Sequence, residues 1–273
     1  LWLPLPVVAW VGRCVCWGLL AWSWTRLSHA ATDRRWLAPV SAALFVGLLH
    51  RYKLAGEWVV GSLEAKGFAY AFVFFAYADV IRRCWGRSLI FLGFATAFHV
   101  LVGGWATVCA GMLWMFSDRS AATVLSIWKP AVLAALIGLT GLVPALALSM
   151  GVDDEARDQA NQIHVYDRLP HHLYFPAFKP ERKQYFIYQL AGWFVLAGLT
   201  FRDANQRRLQ TLVTGALLIT LCGWLITVST EANRSLQASL LRYYWCRFSY
   251  AMLPAGIAIG ATWYAQPLLY YVD

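Results

Sequence analysis

Apolar stretches of about 14 to 22 residues recur along the chain, separated by connectors that hold nearly all of its charge. A helix that faces water on one side and a core on the other alternates polar and apolar positions, whereas a segment apolar all round must lie buried or in lipid. A spanning helix needs about 20 such residues, fewer where it is short or re-entrant. Segments 3–24, 37–50, 67–81, 88–102, 104–117, 130–149, 186–201, 209–228 and 249–270 fit that description. The expected fold is all-α, a polytopic transmembrane helical bundle of eight or nine spans, some short or re-entrant, in a single integral membrane domain over 1–273. Pro144, Pro254, Gly138 and Gly141 fall inside these segments. Membrane helices tolerate them because neighbouring groups re-satisfy the backbone.

Composition agrees. Only 14% of the 273 residues are charged, against about 25% in globular domains. Fifteen Trp and thirteen Tyr suit rings that anchor at membrane–water interfaces. The net charge of +9 comes with no basic run longer than Arg34-Arg35 or Arg207-Arg208. It therefore reads as topology and attraction to anionic membrane lipids, not as a nucleic-acid footprint. The six cysteines sit in or beside apolar runs, and Cys14-Val15-Cys16 lacks metal spacing, so they read as small hydrophobes. Segment 3–24 is too long and too aromatic for a cleavable signal peptide and reads as a span. Residue 1 already lies in an apolar run without an initiating Met, so a preceding N-terminal segment is expected.

Topology turns on residues 88–116, which form one over-long helix or two short ones broken at Gly103-Gly104. Only the broken version puts the basic connectors 25–36, 82–87, 117–129 and 202–208 on one side. Short, densely basic loops face the cytoplasm. The opposite, extracytoplasmic side then collects Glu57, Glu64, Lys66, His99, the polar segment 151–185, Glu231, Arg234, Arg242 and Arg247.

The candidate site residues come from that side. Glu64 opens the helix of segment 67–81, where a carboxylate gains from the N-terminal dipole. With Glu57 and Lys66 it reads either as a capping acid beside an exposed lysine or as a general base beside a phosphate-binding cation. His99 lies among apolar residues next to the diglycine, and either bonds a neighbouring helix or faces substrate at an irregular turn. The polar segment carries Arg168-Leu169-Pro170-His171-His172. Its adjacent histidines are expected to project in different directions. His164 and Asp167 could complete a metal set, but irregular spacing is weak evidence for one, and Arg168 with the histidines suits phosphate or sugar. Arg242 and Arg247 lie among aromatics before the last span, as snorkelling anchors or as contacts to a lipid phosphate. No GxSxG, HExxH, P-loop or GxGxxG occurs, so hydrolase, zinc-protease and nucleotide-motor classes have no motif here.

Four blocks between residues 50 and 255 carry a resemblance: Glu64-Ala65-Lys66 opening a span, Ala97-Phe98-His99-Val100-Leu101-Val102-Gly103-Gly104-Trp105, Arg168 to Leu173, and Leu240 to Pro254. They resemble a group of bacterial polytopic membrane proteins, many of them planctomycete. That group is similar, more loosely, to the GT-C superfamily of membrane glycosyltransferases, which use polyprenyl-phosphate sugars. The resemblance implies an active site at the outer membrane face and an acid of the first outer loop as catalytic base. This chain opens after that loop, so Glu57 and Glu64 stand in for the base. Tyr250 stands where the resembling sequences carry an acid.

The expectation is a glycosyltransferase-like protein of the bacterial inner membrane, transferring sugar from a polyprenyl-phosphate donor. Glu57 or Glu64 would be catalytic, and Lys66, His99, Arg168, His171, His172, Arg242 and Arg247 substrate-binding. No cofactor is implied and a divalent metal is left open. The alternative is a transporter or lipid-handling protein without catalysis, or a structural subunit whose outer loop docks a partner.

Overall fold

A computed structural model describes residues 4–51, 59–148 and 150–269. Among them the chain is helical, with no strand. The helices are α1 (Leu5–Thr32), α2 (Leu37–Arg51), α3 (Ala65–Ile81), α4 (Trp85–Phe98), α5 (Val100–Leu113), α6 (Ala121–Ala147), α7 (Asp154–Gln162), α8 (Pro170–Leu173), α9 (Pro180–Thr200), α10 (Ala204–Ser229), α11 (Arg234–Leu241) and α12 (Arg247–Leu269). The nine apolar segments fall on α1 to α6, α9, α10 and α12, with 88–102 running past the end of α4 into α5. Four stretches are both long and apolar enough to cross a membrane: α1, Val100–Asp118, Val124–Ala147 and α10. The polar segment 151–185 is also helical, with α7, a π-helical turn Ile163–Arg168, α8 and a 3-10 turn before α9.

Helix α3 is the core of the bundle. It is apolar all round, and 13 of its 17 residues are buried, Tyr70, Phe74 and Tyr77 almost completely. α1 and α4 pack on it directly, α5 and α10 flank it, and Phe248 of α12 stacks on Tyr70 with ring centroids 6.4 Å apart. Trp24, Phe45 and Phe74 interlock, with ring centroids 4.4 and 5.4 Å from Trp24. Fully burying one such side chain is worth about 1.5–3 kcal/mol where the alternative is water. In lipid, dispersion and interhelical hydrogen bonds carry more of the association.

The charged connectors gather at one end. Asp79 is buried and its Oδ1 accepts from Arg26 of α1 and Arg87 of α4, both at 3.0 Å. Asp118 accepts from Arg208 Nη1 of α10 at 2.9 Å and from Trp85 Nε1 at 2.9 Å, while Arg208 also donates to the Val80 carbonyl. Asn205 donates to Asp33, and Gln206 to the Ala31 carbonyl. Connectors 25–36, 82–87, 117–129 and 202–208 therefore share one end, as the two-helix reading of 88–116 requires.

The break itself is at His99, not at the diglycine. α4 ends on Phe98, α5 starts on Val100, and His99 between them is extended (φ −154°, ψ 102°). Its Nδ1 accepts from the Val102 amide at 3.3 Å, so the imidazole caps α5. Capping by the side chain satisfies one of the helix-terminal donors that an apolar environment leaves costly. Gly103 serves a different purpose. A Cβ there would stand 2.2 Å from the Thr96 amide nitrogen, whereas one at Gly104 would meet nothing within 4 Å. The glycine lets α5 fold back against α4.

A second close seam attaches α6 to α4. A Cβ on Gly93 would come within 2.6 Å of the Ala134 carbonyl, and one on Gly141 within 2.5 Å of the Ala97 carbonyl. The pairs Gly86/Pro130, Gly93/Ala134 and Ala97/Gly141 advance together, so the two helices run parallel. Small residues at such a seam allow the backbone approach that holds helices together in lipid. Gly103→Ala is expected to cost on the order of 1–3 kcal/mol by overpacking, and Gly104→Ala to stay within about 0.5 kcal/mol of the parent. Thermal unfolding of both variants in detergent checks this, and equal losses would refute it.

Candidate functional site

The end opposite the acid–arginine network holds a polar cluster built by α3, the α4–α5 break and the start of α12. Glu64 is the N-cap residue of α3, but its side chain does not cap the helix. It accepts from the Ser62 hydroxyl at 2.7 Å and pairs with Lys66 Nζ at 2.9 Å. The Lys66 side chain is only 11% exposed, so the pair is not the capping acid and exposed lysine of the simpler sequence reading. Burial pushes the Glu64 carboxyl up. The Ser62 hydroxyl, Lys66 and then Arg247 outweigh that and hold it below its ordinary value of 4.5.

His99 and Arg247 line one crevice with Tyr70, Trp105 and Tyr244. The crevice is about 10 Å³, scarcely room for one water. Burial first, then the charges of Arg247 and Lys66, lower the His99 pKa from its ordinary 6.5. The imidazole is thus neutral at pH 7, able to donate from one nitrogen and accept at the other. Arg247 lies 4.1 Å over the Tyr244 ring, and Tyr244 holds a left-handed backbone (φ 56°). For a bulky residue that conformation costs energy and is typically kept where function or dense packing demands it.

The other sequence candidates are placed elsewhere. Arg242 donates to Asn161 at 3.0 Å and so fastens the polar segment to the turn before α12. His164 shares a hydrogen bond of 3.1 Å with the Tyr244 hydroxyl, and Tyr166 donates to Gln237. These contacts and a small core of Val165, Leu173, Ala238 and Leu241 seat α7, the π turn and α8 on α11. Arg168 is exposed at the end of the π turn. His171 and His172 do not diverge as expected. Successive residues of the short α8, their rings lie 4.1 Å apart. Glu57 lies outside the described residues. Among the described residues no three His, Cys, Asp or Glu side chains group as a metal site.

One feature escaped the sequence reading. Arg13 lies inside α1, 4.7 Å over Trp10 and 5.9 Å over Trp17, and its Nε is buried without a hydrogen-bond partner among the described residues. An arginine inside an apolar segment is itself a signal, and the first span was read for its apolar residues alone. Tyr250 is 2% exposed and donates to the Leu49 carbonyl at 2.6 Å, tying α12 to α2. In comparisons with known proteins, no protein-family model, no curated protein and no solved structure matches this chain.

The titration signs set a prediction. A lowered folded-state pKa means that the unfolded chain binds the His99 proton at higher pH, so stability is full above 6.5 and falls as pH drops below it. His164 acts in the same direction, lowered by burial and then by Arg168, Arg247 and Arg242. Glu64 contributes stability present above 4.5 and lost only as pH falls through its lowered value, outside this window. His99→Asn, which retains a capping acceptor, should therefore flatten part of the stability loss as pH falls below 6.5. His99→Ala should cost about 1 kcal/mol more at neutral pH. Melting curves against pH decide, and an unchanged slope in His99→Asn would assign the titration elsewhere.

Proposed function

We propose that the cluster of Lys66, Arg247, His99 and Glu64 binds the phosphate of a polyprenyl-phosphate-linked sugar. On this reading the chain is a glycosyltransferase-like enzyme of a bacterial inner membrane, its nine apolar helices forming eight or nine spans. The basic end faces the cytoplasm and the cluster faces the opposite side. The observation that carries the reading is the meeting of two cations, a neutral imidazole and a carboxylate at the membrane-boundary end of one buried helix. Cations held in a partly desolvated site attract phosphate more strongly than in water.

In the reaction, Glu64 takes the proton of the acceptor hydroxyl. The acceptor oxygen forms the new bond to the anomeric carbon, and the bond from that carbon to the phosphate oxygen breaks with its electron pair left on the lipid phosphate. Lys66 and Arg247 stabilise the charge that develops there, and His99 orients sugar or phosphate by hydrogen bonds. Two observations favour a second reading, a lipid-phosphate carrier without catalysis. Glu64 is paired with Lys66 and its pKa is lowered, which makes it a weak base. The crevice of about 10 Å³ also admits no sugar.

The test is transfer of labelled sugar from polyprenyl-phosphate donors by the full-length protein in lipid, with donor binding measured in parallel. Glu64→Gln should lower transfer about 10²–10⁴-fold with donor binding retained, while Lys66→Ala and Arg247→Ala weaken both. Donor binding without transfer in the parent would establish the carrier reading. Transfer that survives Glu64→Gln would move the base elsewhere, with Glu57 the next to test.

A further inference from the structure

The basic end carries a second site, separate from the cluster above. Between the start of α4 and the start of α6 lies an open pocket of about 660 Å³, lined by Arg83, Arg87, Arg119, Trp85, Ser117 and Ser126 among others. This is within the usual size for a small-molecule site. Both helices direct their N-termini at it, and they run 14 and 27 residues, so the exposed amides and dipoles add to the positive field.

The charge balance is not neutral. Asp118 is the acid in the lining, and Arg208 already holds it through both guanidinium nitrogens. Arg87 reaches Asp79 yet its side chain stays 61% exposed, and Arg83 is 70% exposed at 3.8 Å from Asp118. Arg119 forms no ion pair among the described residues and is exposed. An anion would complete this pocket.

Further along the same two helices, joined by Thr107 of α5, lies an apolar groove of about 360 Å³, lined by Leu89, Leu92, Ala131, Ala135 and Leu142. From Ala131 to Leu142 it follows α6 for about 16 Å at 1.5 Å per residue. That is about half of the ≈ 30 Å hydrocarbon thickness, the depth of one leaflet. An arginine pocket followed along the same two helices by an apolar groove of leaflet length matches the polarity of a phospholipid.

We propose that this cleft is a binding site for an anionic phospholipid, with the phosphate headgroup among Arg83, Arg87 and Arg119 and one acyl chain along the α4–α6 groove. The lipid covers the otherwise open flank of α6, which meets the rest of the bundle mainly through its glycine–alanine seam with α4. Basic pockets between spans on the cytoplasmic side are where anionic headgroups bind. The site thus fits the same orientation as the positive-inside connectors.

The experiment is native mass spectrometry with thermal unfolding of the full chain in dodecyl maltoside. The probes are dioleoylphosphatidylglycerol, dioleoylphosphatidylcholine and inorganic phosphate. The expected result is one phosphatidylglycerol retained per chain where phosphatidylcholine is not, with a rise in Tm, and no rise with inorganic phosphate. Arg119→Ala should weaken phosphatidylglycerol retention about fivefold. Ala135→Trp, which fills the groove and spares the headgroup pocket, should weaken it as well. Equal retention of the two lipids, or phosphatidylglycerol binding unchanged in Arg119→Ala, would overturn the proposal. A Tm rise with inorganic phosphate equal to that with phosphatidylglycerol would replace it with a free-anion site. Arg119 sits in an exposed connector, so its variant decides the matter even if Ala135→Trp does not fold.

Discussion

Two carboxylates set the frame of this bundle. Asp79 collects Arg26 and Arg87, and Asp118 collects Arg208, with Arg83 and Trp85 beside it. Between them they tie α1, α3, α4, the end of α5 and α10 at one level. Separating charge from its partner where water is scarce costs on the order of 3–5 kcal/mol, so these helices cannot slide along one another independently. The aromatic core packs between these fixed ends and the polar cluster at the far end of α3.

Close backbone approach is the second organising force. Lipid gives helices no hydrophobic reason to associate with one another, so contact area and dispersion must supply it. Gly103 against Thr96 and Gly93 against Ala134 show how this chain obtains it. Gly223 does the same where a Cβ would stand 2.3 Å from Trp245 Cβ, seating α10 beside the turn that presents Arg247. The seam that fixes α6 leaves open the groove beside it, so one packing solution produces both the attachment and the cleft.

The two ends therefore differ in chemistry. At the basic end most charges neutralise one another, and what remains is an exposed arginine surplus. At the far end Glu64, Lys66, His99 and Arg247 influence one another electrostatically, and aromatic rings line the crevice of His99 and Arg247. Tyr244 links that cluster to the polar segment through His164. A change in the seating of α7 and α8 on α11 would thus reach Arg247 through one side chain.

The sequence by itself determined the class and grouped the basic connectors at one end. All-round apolar segments in lipid can satisfy their backbones only as helices, and the density of Lys and Arg in short connectors sorted the ends before any coordinates. It also pointed to His99, Lys66 and Arg247. Tertiary structure decided which of the named residues meet. Arg242 and Arg247 are five positions apart, yet one fastens a loop and the other faces the crevice, because Tyr244 turns the chain between them with a positive φ. Apolar periodicity carries no signal for such a turn. Nor does it show that the break falls on His99 and not on the glycines, since that depends on an imidazole finding the Val102 amide and on Thr96 lying against Gly103. The pairing of Asp79 with two arginines from distant segments was equally hidden, because long-range ion pairs leave no spacing in a single chain.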